Sequence, residues 1–417
     1  MILGLGGTID DEILWDEQLL QRLAAEYGIR RTECDATLAI RDERSLVAVI
    51  LGFAIERRGG ERFVESFEVI ERFSARHEKT VTLGGTGVRA ALVMRKLGVR
   101  STVHLVSIDD AFRRLFPADC DYISSATTDG MFPHLIIQLP ERGRIELADG
   151  EVLIEGPNRL IFVNDPPHVE IALSPDLAPA LRTARWLLLS GLNSMNDIEV
   201  LSERLRELRA ATTAMPSGGL IMYEDAGFHA PRLHRALRKE IASLVDVYSM
   251  NEDELQAQLG RRVELLDPAA VVAALRDVRA LIPGPTLVVH TRHWALAWGA
   301  DAPRFAVALG GGIAAATARY VHGDELTAER VAAIGELDPP IEHRLFCEGI
   351  VRDATEPAVC VPAYVVSVEH PITIGLGDCF VGGFLAALAA SETTGEESGA
   401  VLRGMEVERL QLRGRGS

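Results

Sequence analysis

Short apolar runs that stop at glycine, alternating with stretches of helical period, organise this chain. Met1 to Leu5 is such a run and ends at Gly6-Gly7; a brief continuous apolar run bounded by turn residues reads as a buried strand. A polar, acid-rich stretch follows. From Leu46 to Phe73 the apolar positions recur with helical spacing. Thr80 to Leu83 with Gly84-Gly85 then repeats the strand-to-glycine pattern ahead of a helix over Val88 to Leu97, closed by Gly98. With Ser101 to Val106 as the next strand, this segment predicts a β-α-β unit with parallel strands and a right-handed crossover. Runs at Trp186 to Leu189, Gly219 to Tyr223, Leu244 to Tyr248, Thr286 to His290 and Tyr364 to Val366 alternate with helical stretches in the same way. The pattern predicts an α/β fold: a doubly wound, mainly parallel sheet with helices on both faces.

Between Phe116 and Pro166 the texture changes. His134 to Leu139, Arg144 to Leu147, Val152 to Ile154 and Leu160 to Val163 read as short strands separated by turn residues. A β-rich insertion in an α/β chain is most simply a smaller lid over the carboxyl edge of the sheet. The expected division is residues 1–9, 46–112 and 180–417 for a large nucleotide-binding unit, and 10–45 and 113–179 for the lid. The tail after Glu408 reads as frayed.

Composition narrows the function classes. The 417 residues are 47% hydrophobic and 25% charged, as in an ordinary globular protein. Lys and Arg number 43 against 60 acids, a net charge of −17, which speaks against a nucleic-acid groove or an anionic membrane as partner. A phosphate ligand would then need local donors, such as backbone amides at a helix start. Cys34, Cys120, Cys347, Cys360 and Cys379 form no C-x-x-C pair, so neither a zinc knuckle nor a disulfide framework is expected. A cytoplasmic protein is the expectation, since acids follow the first apolar run directly and no later segment reads as membrane-spanning. A monomer or small homo-oligomer fits equally well.

Chemistry concentrates in Thr373-Ile374-Gly375-Leu376-Gly377-Asp378-Cys379-Phe380, just before the helical run Val381 to Ala390. Glycines there let the backbone approach an anion, and the helix start offers free amides and a favourable dipole. Asp378 stands where a carboxylate can take a proton from an attacking hydroxyl. The same residues also read as a tight turn with Asp378 capping a helix. In Tyr248-Ser249-Met250-Asn251-Glu252-Asp253-Glu254-Leu255, Asn251 and Glu254 lie three apart at a helix start. They would order Mg²⁺ through water, or simply form a capping box. Glu224, in Met222-Tyr223-Glu224-Asp225-Ala226, ends another strand. Acids at several strand ends converge where open α/β sheets bind ligands.

These pieces occur in the order found in the ADP-dependent glucokinase and phosphofructokinase family of ribokinase-like sugar kinases, which the chain resembles. Thr8-Ile9-Asp10 looks like that family's first sugar-binding Asp motif, Gly84-Gly85-Thr86 like its G-G-N turn, His134-Leu135-Ile136 like its H-x-I segment and Asn158-Arg159-Leu160-Ile161 like its N-R-F-I lid element. Ser190-Gly191-Leu192, Tyr223-Glu224, Asn251 to Leu255, His290-Thr291 and Ile374 to Asp378 complete the series.

The resemblance implies a ribokinase-like fold and transfer of a phosphoryl group from ADP, or ATP, to a sugar or sugar-phosphate hydroxyl with Mg²⁺. It implies Asp378 as base, the amides of Gly375 to Asp378 as an anion hole, and Arg159 offsetting phosphoryl charge from the lid. It further implies Asp10, Glu61, Gly84, Gly85 and His134 at the sugar; Asn251, His290, Thr291 and Gly377 at the nucleotide; and Glu224, Glu254 and Asp378 around the metal. Thr8 and Thr86 replace family asparagines, which bears on sugar specificity. Arg89 stands where small residues are usual and reads as a phosphate donor that would favour a phosphorylated sugar. By the same likeness, the lid segment at the N-terminus is expected to be short.

Two other readings stay open on the residues. Gly85-Thr86-Gly87-Val88-Arg89-Ala90 matches the dinucleotide fingerprint, with Asp109 at the spacing of a ribose-binding acid, as in an NAD-dependent oxidoreductase. A catalytically weak sugar-binding protein on the same fold would also keep much of this pattern.

Overall fold

The computed structural model describes residues 1–156, 158–227, 231–368 and 371–393; the tail after Glu408 lies outside them. A nine-stranded sheet forms the centre, in the order Ala358–Pro362, Trp294–Trp298, Thr286–His290, Val247–Asn251, Leu220–Glu224, Trp186–Leu189, Ile2–Leu3, Thr102–Leu105, Asp121–Ser124. From Thr286–His290 to Asp121–Ser124 the strands run parallel. Trp294–Trp298 runs antiparallel to both of its neighbours, Thr286–His290 and Ala358–Pro362.

Alternation along the strands explains the layering. Leu187, Leu189, Tyr223, Tyr248 and Leu287 face one side, packed with apolar residues of helices Ile198–Thr212, Pro231–Ile241 and Pro268–Leu281. Trp186, Leu188, Met222, Val247 and Val288 face the other, against helices Thr86–Lys96, Ala306–His322 and Leu376–Thr393. The expected doubly wound α/β architecture is therefore present.

A second sheet has the order Gly60–Phe63, Asn158–Val163, His134–Leu139, Thr8–Leu14, Lys79–Gly84. Its two faces differ in kind. Ile13, Leu135, Ile137, Leu160 and Phe162 pack against helices Glu17–Glu26, Glu43–Glu56 and Phe67–Ser74. Directly paired positions put Asp10 beside Thr82 and His134, Glu12 beside Ile136, Ile136 beside Ile161, and Ile161 beside Glu61 on the opposite face. Sheet alternation thus gathers the polar residues of four separated segments onto one surface.

Several expectations need correcting. Leu46 to Phe73 is not one helical region: helices Glu43–Glu56 and Phe67–Ser74 flank the strand Gly60–Phe63. Lys79–Gly84 and Thr102–Leu105 belong to different sheets, so they do not form a β-α-β unit. Helix Glu43–Glu56 and strands Gly60–Phe63 and Lys79–Gly84 belong to the second sheet and its helical cover. Conversely, Asp121–Ser124 extends the central sheet. Tyr364 to Val366 is not a strand; Ala358–Pro362 is, and it ends at Pro362, which lacks the amide needed to continue a ladder. Trp294–Trp298 is a further strand, although its alternating alanines carry no strand preference of their own.

Four crossings join the sheets, and two of them run side by side. Gly4 to Gly7 connects Ile2–Leu3 to Thr8–Leu14, and Gly85 connects Lys79–Gly84 to helix Thr86–Lys96. They touch: with φ of 86°, Gly85 sits so close that a Cβ there would lie 3.0 Å from Gly7 Cα.

Candidate active site

Gly375 has φ of 73°, a conformation glycine adopts without penalty, and it turns the chain into helix Leu376–Thr393. Asp378 falls in the first turn, where backbone amides have no partner within the helix. The helix is fixed by close backbone contacts. A Cβ at Gly382 would lie 2.8 Å from the Ala90 carbonyl oxygen, and one at Gly383 would overlap the Gly311 carbonyl oxygen.

Gly377 faces His290, whose ring stacks on Phe380 with centroids 4.4 Å apart and planes at 20°. His290 Nε2 lies 2.9 Å from Glu224 Oε1. The other oxygen, Glu224 Oε2, is buried with no hydrogen-bond partner among the described residues. Three elements distant in sequence, carrying Gly377, His290 and Glu224, thus meet at the carboxyl edge of the central sheet.

Asn251 and Glu254 form the capping box foreseen as the simpler alternative. Asn251 Oδ1 accepts from the amides of Asp253 and Glu254, while Asn251 N and Nδ2 donate to the two Glu254 oxygens at 2.7 and 2.8 Å. Burial, then the charges of Asp225 and Glu224, push the Glu254 carboxyl well above the usual carboxylate range. Thr291 is committed to a turn: its hydroxyl donates to the Trp294 carbonyl and accepts from the amides of His293 and Trp294. That exhausts a hydroxyl's donor and its two acceptor sites, so the Thr291 side chain has nothing left for a nucleotide.

The second sheet's polar face lies opposite Asp378. Asp10 accepts from Thr8 Oγ1 at 2.9 Å. Gly84 is required beneath it, because a Cβ there would overlap both Asp10 oxygens and Thr8 Oγ1. Arg159 Nη1 reaches the Thr373 carbonyl at 3.5 Å, just ahead of the Gly375 turn. Glu61 lies on the same face and contributes to the field at His134.

His134 Nε2 is 3.3 Å from Asp165 Oδ2, which is 2.8 Å from His168 Nδ1. Burial disfavours charge on His134, but Asp165, then Asp10 and Glu61, outweigh it and raise its pKa above the usual 6.5. A raised folded-state value means this contribution to stability is complete below the unfolded value and is lost as pH rises through the folded one. Wild-type protein should therefore lose stability as pH climbs above about 6.5, and His134→Gln should flatten that slope. Denaturant midpoints measured across the range check this, and an unchanged slope in the variant would exclude the pair as its source.

Arg89 departs from expectation. Only 7% exposed, its Nη2 lies 3.0 Å from Asp10 Oδ2 and 3.4 Å from Glu12 Oε1, and its Nε lies 3.8 Å from Asp378 Oδ2. A guanidinium so occupied is not a waiting phosphate donor. The dinucleotide fingerprint fails for a related reason: its strand, Lys79–Gly84, is the antiparallel edge of the smaller sheet, and Asp109 caps helix Asp110–Leu115 by accepting from Phe112 N at 2.8 Å.

Sequence reasoning also missed Asp225. Its buried carboxylate accepts from Tyr223 Oη at 3.0 Å, Tyr248 Oη at 2.9 Å and Gln258 Nε2 at 2.8 Å, with His234 Nε2 at 3.0 Å. Two adjacent acids at a strand end, Glu224-Asp225, were the available signal: one side chain serves the ligand edge and the next is turned into the interior.

The chain matches the ADP-specific phosphofructokinase/glucokinase conserved region over residues 1–277. It belongs to that family. Membership makes it a sugar phosphotransferase, and the match ends before His290 and the Gly375 turn. No curated protein matches it. Among solved structures, a phosphofructokinase from Pyrococcus horikoshii OT3 with AMP is similar at 17% identity and TM-score 0.73, with 94% of this chain and 98% of that chain covered. An ADP-dependent kinase in complex with fructose 6-phosphate and ADPβS is similar at 15% identity and TM-score 0.74, with 94% of each chain covered. Both likenesses concern the fold alone. No described helix of this sugar kinase is long and apolar enough to cross a membrane.

Proposed function

We propose that this sugar kinase transfers the terminal phosphoryl group of ADP to a sugar hydroxyl, with Asp378 taking the hydroxyl proton. One observation carries the reading: the Gly375 turn and Asp378 stand opposite the polar face of the second sheet, linked to it through Arg89 and Arg159. The first-turn amides at Gly375 to Asp378 suit a terminal phosphate. Arg159, reaching from the second sheet, offsets charge on the transferring group, and the two sheets together exclude water that would otherwise compete as acceptor. Phosphoryl transfer asks mainly for such positioning and electrostatics.

A magnesium ion would neutralise phosphate charge here. Among the described residues, no group of three or more His, Cys, Asp or Glu side chains could hold a metal directly. The partnerless Glu224 Oε2 beside the buried carboxyl of Glu254 nevertheless fits a cation retained largely through its own waters. Glu224, Glu254 and Asp378 would share it in that manner.

The deciding experiment is an activity matrix of ADP and ATP against sugars and sugar phosphates, with and without a chelator. Turnover with ADP that chelation abolishes and Mg²⁺ restores is expected. Turnover confined to ATP would overturn the donor assignment, and turnover indifferent to chelation would overturn the metal.

A further inference from the structure

We propose that Arg89 sets the class of acceptor: it is a positioning residue whose guanidinium, held among Asp10, Glu12 and Asp378, builds a site for an uncharged polyhydroxy compound instead of a phosphorylated sugar. This rests on the reading of Asp378 as base and Asp10 as a hydroxyl-binding carboxylate.

Charge is the first argument. Three carboxylates surround one guanidinium, so the cluster keeps an excess of negative charge in a partly desolvated place and offers a phosphate carried by the acceptor no counter-cation, whereas the donor's phosphate is met by the first-turn amides and Arg159. The cations on the strands of the second sheet are engaged elsewhere: Lys79 with Asp11, Arg62 with the Thr37 and Leu38 carbonyls, His134 with Asp165, and Arg159 with the Thr373 carbonyl on the donor side. A neutral polyol suits the cluster, because carboxylate oxygens with spare lone pairs accept from hydroxyls.

Rigidity is the second. Arg89 lies on helix Thr86–Lys96, which meets the Asp378 helix in backbone contact at Ala90 and Gly382. From the other side the Gly375 turn closes over it, since a Cβ at that glycine would lie 3.0 Å from Arg89 Nη1. Arg89 therefore registers the base against the carboxylate that orients the acceptor. A planar guanidinium can address several carboxylates at once from fixed directions; a lysine ammonium of equal charge is a single point on a flexible stem.

Two measurements test the proposal. With the wild-type chain at saturating nucleotide, free hexoses and pentoses should exceed their terminal phosphates in kcat/KM by at least about tenfold, each carboxylate facing the anion adding to its exclusion. Arg89→Lys should then lower kcat/KM for the acceptor by about 10–100-fold while leaving KM for the nucleotide near its wild-type value. Preference for a phosphorylated sugar overturns the proposal in the wild-type arm, whether or not the variant folds. Folded Arg89→Lys with wild-type acceptor kinetics overturns the positioning role. If Asp378→Ala stays active the underlying base assignment fails instead, and turnover with neither acceptor class sinks the kinase reading itself.

Discussion

Replacing Asp378 by alanine is expected to lower kcat by about 10²–10⁴-fold, the range in which a positioned general base contributes. Stability should barely move. The side chain is 24% exposed, and its one ion-pair contact among the described residues, to Arg89 Nε, is long at 3.8 Å. Its remaining service to the fold is a negative charge near a helix start, worth about 0.3–1 kcal/mol. Asp378→Asn separates the roles, because it keeps the shape and loses the ability to take a proton. Steady-state kinetics and denaturant titration of both variants check the result. An alanine variant retaining wild-type kcat would remove Asp378 from the chemistry.

Asp225→Ala should do the reverse in its first effect, destabilising the protein by about 3 kcal/mol or more. The carboxylate binds two buried tyrosine hydroxyls and Gln258 Nε2, with His234 alongside. Removing it strands those donors without water. Each unsatisfied buried group costs about 1–3 kcal/mol, so even partial relaxation leaves a large loss. Asp225→Asn should fall between, since an amide oxygen accepts some of these bonds while its NH₂ opposes others. Urea unfolding of the two variants tests the ordering, and equal stability of wild type and Asp225→Ala would mean the network contributes nothing net.

Much of the fold is legible in the residues because burial on both faces leaves a plain mark. Trp186–Leu189 and Thr286–His290 are continuous apolar runs, and each is a central strand. Which sheet a strand joins leaves no comparable mark. Lys79–Gly84 resembles its neighbours in period and glycine ending, yet it pairs with Thr8–Leu14 in the smaller sheet. The site divides along a similar line. His290 and Glu224 meet in space, with the turn that carries Asp378 against them, although they lie far apart in the chain. Asn251 and Thr291 show that a residue in the right place can be consumed by a local cap or turn. Arg89 and Asp225 gain their meaning only from partners far away in the chain, Asp10 and Asp378 for the one and Tyr248 and Gln258 for the other, a relation that local pattern cannot carry.

The paired glycine crossings at Gly7 and Gly85 leave no room for a side chain: a Cβ at Gly7 would overlap Val88, and one at Gly85 would press on Gly7 Cα. Asp10 follows the first crossing by three residues and Arg89 follows the second by four. The spacing of the two sheets at this point is therefore set by bare backbone, and the meeting of Asp10 with Arg89 inherits it. Bulk added at either glycine would be felt first at that carboxylate–guanidinium pair.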